Sequence, residues 1–127
     1  MASVSGGLIE AYGIMIDSAH SEGLKVYGAT ITPFRGNGYY NQYSEACRNE
    51  VNAWIRNSGR YDAVLDFDRV LRNPDDPESL VSSFQNDGLH PDTTGFRKMA
   101  DSIDLTLFVD KRAARRRSGN RHCLRCR

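Results

Sequence analysis

The chain has 127 residues, enough for one domain with a core of its own and too few for two. Its hydrophobic share of 39% and charged share of 26% are those of an ordinary globular protein. The net charge of +1 hides an asymmetry: eight of the 17 basic residues and one of the 16 acidic ones lie in 109–127, so that tail carries +7 and residues 1–108 carry −6. An acidic body with a basic tail is not the pattern of a uniformly basic nucleic-acid binder.

The N-terminal residues "MASVSGGLIEAYG" hold neither a cationic leader region nor an apolar one, and no apolar run approaches the length of a membrane span. The expectation is a soluble chain that stays where it is made. Residues 7–22 then repeat apolar side chains at Leu8, Ile9, Tyr12, Met15, Ile16 and Ala19, a single helical stripe closed by Gly23. "LKVYGATI", residues 24–31, is a short apolar run of strand formers, stopped by Thr32-Pro33. The glycines of "PFRGNGYY" mark a loop.

A second stripe of Tyr43, Cys47, Val51, Trp54 and Ile55 predicts a helix over 41–57, ended by Asn57-Ser58-Gly59. Cys47 reads as a small buried hydrophobe, since three cysteines do not make a disulfide framework. "AVLDF", residues 63–67, predicts a second buried strand, and "RNPDDPESL" an irregular stretch. Phe96, Met99, Ala100, Ile103 and Leu107 predict a third helix over 94–107. Strands alternating with amphipathic helices argue for an α/β layer with parallel strands. Only two strands are visible, and a sheet so narrow has open edges. The pattern is expected to be the back half of something larger, able to self-associate through an exposed sheet edge.

The segment "QNDGLHPDTTGF", residues 85–96, holds the chemistry. In a serine hydrolase a histidine takes the nucleophile's proton while a carboxylate fixes its tautomer. A separation of three in a tight loop lets Asp87 reach His90, with Gly88 relieving the backbone and Pro91 holding His90 extended. The bland alternative uses the same letters: Asp92 or Thr93 caps the following helix, and Asp87 and His90 are solvated loop residues. Asp66 and Asp68 leave a predicted strand end, where ligands often bind, though capping or solvation is the better account of one acid pair.

"NDGLHPDTTGFRKMAD" resembles the C-terminal block of the SGNH, or GDSL-type, esterases and acylhydrolases, whose signature there is Asp-x-x-His-Pro. "LIEAYGIMIDSAHSEGLKVYGATITPF" and "YYNQYSEACRNEVNAWIRNSGRYDAVLDFD" look like that family's helix–strand units, so the likeness covers residues 7–108. It implies a partial three-layer α/β/α, flavodoxin-like fold over residues 1–108, lacking its N-terminal strands. His90 corresponds to the general base, Asp87 to its orienting acid, and the substrate to an ester; no metal or organic cofactor is implied. Phe34 and Tyr39 would then line an acyl pocket. The family's Gly-Asp-Ser nucleophile block and its Gly-x-Asn-Asp oxyanion block have no counterpart here, since Asp17-Ser18 follows Ile16 on a predicted helix. The expectation is therefore half of a triad, in a chain that by itself is inactive or serves as a non-catalytic interaction fragment.

Residues 109–127 are expected to be a disordered basic tail. Its His122-Cys123 and Cys126 form no complete zinc set and no haem attachment motif. Its arginines lack the interleaved aromatics of a single-strand binder, so no specific nucleic-acid partner is expected.

Overall fold

The computed structural model describes residues 3–109, which leaves the basic tail, with His122, Cys123 and Cys126, outside the described residues apart from Val109. The order of elements is α1 (Val4–Ser21), β1 (Tyr27–Ala29), α2 (Gln42–Asn57), β2 (Ala63–Leu65), α3 (Phe67–Leu71), β3 (Arg72–Asn73), β4 (Asp76–Leu80) and α4 (Thr93–Asp101). Short 3-10 turns at Ser82–Phe84 and Leu105–Phe108 flank α4. The protein is of mixed α/β character.

β1 and β2 pair in parallel, with Tyr27 opposite Ala63, Gly28 opposite Val64 and Ala29 opposite Leu65. Among the described residues each has one partner, so both outer edges are unpaired. Both strands are shorter than the apolar runs that predict them. Leu24 lies exposed outside β1, and Asp66 ends β2 because its side chain turns back to cap α3, accepting from Arg69 N–H at 3.2 Å. "RNPDDPESL" is not irregular. It folds into the antiparallel β3–β4 hairpin, with a register shift between Arg72 and Asn73 where the turn closes.

Helix boundaries follow their caps. α1 starts three residues earlier than its apolar stripe because Ser3 accepts from Gly6 N–H at 3.0 Å. α2 opens on a capping box: Asn41 accepts from Ser44 N–H while Ser44 Oγ accepts from Asn41 N–H, both at 2.9 Å. α4 stops at Asp101 rather than near 107, and Leu105–Phe108 form a separate turn started by the Asp104 cap on Thr106 N–H. Phe96, read from the sequence as core, is exposed.

The burial pattern inverts part of the expectation. Ile16, Pro33, Val51, Ile55, Leu71 and Leu80 are buried, while eleven large apolar side chains among the described residues, Ile14, Met15 and Phe96 included, are exposed. α2 turns a polar stripe inward as well: Glu45, Arg48 and Asn52 are buried at helical spacing, and Tyr43, at the head of the apolar stripe, is 85% exposed. Asn52 accepts from Ile31 N–H at 2.7 Å and donates to Ile31 O at 2.8 Å, which pins the chain leaving β1 to the helix. No helix among the described residues is long and apolar enough to cross a membrane.

Candidate active site

The loop between Ser82–Phe84 and α4 is closed at its neck. Gln85 bridges Pro91 in an antiparallel contact, and Asp92 N–H donates to Phe84 O at 2.7 Å. α4 sits directly on this neck because Gly95 has no side chain. A Cβ there would lie 2.5 Å from Phe84 O and 2.8 Å from Pro91 Cβ. Asp92 caps α4, accepting from Thr94 and Gly95 N–H at 2.8 and 2.9 Å. The cap is therefore Asp92 alone, which leaves Asp87 free for other work.

Inside the loop Asp87 folds over its own backbone. Its Oδ1 accepts from Leu89 N–H at 2.9 Å and His90 N–H at 2.8 Å, and its Oδ2 lies 2.6 Å from His90 Nδ1. The turn needs Gly88 in the left-handed region, at φ 76°. The His90 ring, followed by the Asp87 backbone N–H contacts of His90 and Leu89, holds the Asp87 carboxyl well below the usual carboxylate range. An ionised carboxylate only accepts, so Nδ1 carries the proton facing Asp87, and a ring with one proton has its lone pair on Nε2. The His90 side chain is 74% exposed, and among the described residues Nε2 has no hydrogen-bond partner. The pair can take a proton from whatever is presented to it. No family model matches the chain, and neither does any curated protein.

The other candidates separate. Asp66 and Asp68 form a salt-bridge network: Arg56 donates to Asp66 at 2.7 and 2.8 Å and to Asp68 at 2.5 Å, while Arg48 donates to Asp68 at 2.7 Å. Arg56 is the main reason the Asp66 carboxyl is lowered to about 2. Ser18 is an exposed residue of α1. Phe34 lines an open apolar groove of about 370 Å³ with Val4, Leu8, Ile31, Tyr43 and Cys47, whereas Tyr39 stands exposed and is not among its walls. Among the described residues no three His, Cys, Asp or Glu side chains gather as a metal set would.

The resemblance sets the loop "TPFRGNGYY" beside the site but does not say which of its residues hold the His90 loop in place. Gly36 and Asn37 pack on Gly88, and Asn37 Nδ2 donates to Asp87 O at 3.2 Å. The only sequence signal for them is the turn-forming "RGNG".

Proposed function

We propose that Asp87 and His90 are the orienting acid and general base of a serine-dependent carboxylic-ester hydrolase of the SGNH kind, within a three-layer α/β/α domain. The observation that carries this reading is the 2.6 Å contact between Asp87 Oδ2 and His90 Nδ1, made by a carboxylate already fixed by two backbone N–H groups. That contact leaves the Nε2 side of the ring open to solvent. In the reaction Nε2 accepts the serine Oγ proton as the oxygen attacks the ester carbonyl. The same ring then protonates the leaving alcohol, and afterwards deprotonates the water that releases the acid from the acyl-enzyme. The apolar groove beside Phe34 suits the acyl part of an ester.

The 127 residues contain no Gly-Asp-Ser block, so this reading requires a nucleophile and oxyanion donors from a further segment or a second polypeptide. The test begins with the DNA upstream of Met1. An in-frame continuation carrying a Gly-Asp-Ser block is expected, and the longer product should hydrolyse a short-chain nitrophenyl ester. His90→Ala should lower its kcat by several orders of magnitude. A longer product whose turnover survives His90→Ala would overturn the assignment.

A second reading, an interaction fragment, is favoured by a different observation. The two unpaired edges of the β1–β2 sheet and the eleven exposed large apolar side chains among the described residues are what a covered surface shows when its cover is removed.

A further inference from the structure

The peptide group joining Asp87 to Gly88 is held at both ends by side chains. Its carbonyl accepts from Asn37 Nδ2 at 3.2 Å, and its N–H donates to Gln85 Oε1 at 2.7 Å. Neither amide is free to swap its ends. Asn37 Oδ1 already accepts from Tyr39 N–H at 3.2 Å, and only a carbonyl oxygen of Gln85 can face the Gly88 N–H.

Asn37 is itself anchored. Its N–H donates to Phe34 O at 3.1 Å and its carbonyl accepts from Tyr40 N–H at 3.0 Å. The loop is tied to β4 by Arg35 N–H on Glu78 O at 2.9 Å, by the Arg35 guanidinium on Asp76 at 2.9 Å, and by Tyr40 Oη on Glu78. Sterics close one side of the same peptide. A Cβ on Gly88 would lie 2.8 Å from Gly36 C and 3.0 Å from Asn37 N.

Rotating this peptide plane changes ψ of Asp87 and φ of Gly88 together. ψ of Asp87 decides where the N–H groups of Leu89 and His90 stand relative to the Asp87 carboxylate. A change in ψ of Asp87 that φ of Gly88 does not offset therefore withdraws the two donors on Oδ1 and releases Oδ2 from the imidazole. We infer that Asn37 and Gln85 are positioning residues that lock the Asp87–Gly88 peptide and, through it, hold His90 in the Nδ1–H tautomer. The inference rests on the acid–base reading above and adds the residues that maintain it. Two neutral amides suit this task, because they fix the backbone without placing a charge beside the carboxylate.

The test uses ¹⁵N and ¹³C NMR of the imidazole in the 127-residue chain, with the backbone amide spectrum and thermal midpoint recorded alongside. The unsubstituted protein should show His90 with its proton on Nδ1. In Asn37→Ala and in Gln85→Met the ratio of Nδ1–H to Nε2–H should fall about fivefold, the worth of one ordinary hydrogen bond. A residue that only supported the fold would move the midpoint and leave the ratio unchanged. Folded variants that keep the starting ratio overturn the inference, and Gln85→Met carries the test alone if Asn37→Ala does not fold. An Nε2–H ring in the unsubstituted protein is a different failure: it sinks the acid–base reading itself, and this inference with it.

Discussion

Arg48 and Asp68 meet at 2.7 Å inside the fold, each side chain only 4% exposed. Asp68 has a second cation, Arg56 at 2.5 Å, so it stays paired if Arg48 is removed. Glu45 does not. It is equally buried, and its cation is Arg48, which donates to its two oxygens at 2.6 and 2.8 Å. Arg48→Met should therefore destabilise by about 3–5 kcal/mol, the cost of orphaning a buried charge. The double variant Glu45→Gln/Arg48→Met should recover much of that loss. Urea unfolding of the three proteins checks it, and a double variant no better than the single one would place the damage elsewhere.

Asp66 gives the fold an acid limit. Its folded carboxyl titrates at about 2, mainly because Arg56 donates to it, against about 3.9 in an unfolded chain. A depressed folded value means the stabilisation is complete above about pH 4 and is lost as the pH falls through about 2. Its size is on the order of 2 kcal/mol. The stability difference between wild type and Asp66→Asn should therefore be constant from neutral pH down to about pH 5, then shrink toward pH 2. Unfolding curves across that range decide it; a difference that grows on acidification would contradict the ion pair.

Gly95 sets α4 on the neck of the His90 loop. Alanine is the better helix former by roughly 1 kcal/mol, yet its Cβ would stand 2.5 Å from Phe84 O. That carbonyl cannot retreat without breaking its bond from Asp92 N–H at 2.7 Å. Overpacking of about 1–3 kcal/mol should win, so Gly95→Ala is expected to lower the thermal midpoint. It should also broaden the NMR signals of residues 84–92. An unchanged midpoint would mean that α4 tilts freely.

The 127-residue chain by itself should not turn over a nitrophenyl ester through a serine, nor take up a fluorophosphonate probe. No serine is hydrogen-bonded to His90 among the described residues, and missing oxyanion donors alone cost orders of magnitude in rate. Stoichiometric labelling of one serine, with turnover abolished by His90→Ala, would show this expectation wrong.

The unpaired edges and exposed apolar surface should make the chain associate with itself. Each large apolar side chain left in water forgoes roughly 1.5–3 kcal/mol relative to burial, a sizeable part of a domain's net 5–15 kcal/mol. Sedimentation velocity is expected to show a mass that rises with concentration. A single monomeric species with a cooperative, concentration-independent thermal transition would argue against both the open edge and the fragment reading.

The local elements are legible in the sequence, because their causes are local. The apolar period of 8–19 and the turn at Gly23 suffice for α1, and Asn57-Ser58-Gly59 for the end of α2. The spacing of Asp87, Gly88 and His90 suffices for a carboxylate within reach of an imidazole three residues on. What pairs across distance could not be read in the same way. Glu45, Arg48 and Asn52 look like a solvated helix face until Ile31 and Asp68, far along the chain, arrive to satisfy them. The β3–β4 hairpin was hidden by Pro74 and Pro77, which carry no strand signal, although Glu78 O still accepts from Arg35 N–H. The apolar stripe through Phe96 marks a surface made for burial, but whether a side chain is buried depends on what lies opposite. That Asn37, fifty residues away, closes on the carbonyl of Asp87 is visible only in the folded chain, since a long-range hydrogen bond leaves no period in a sequence.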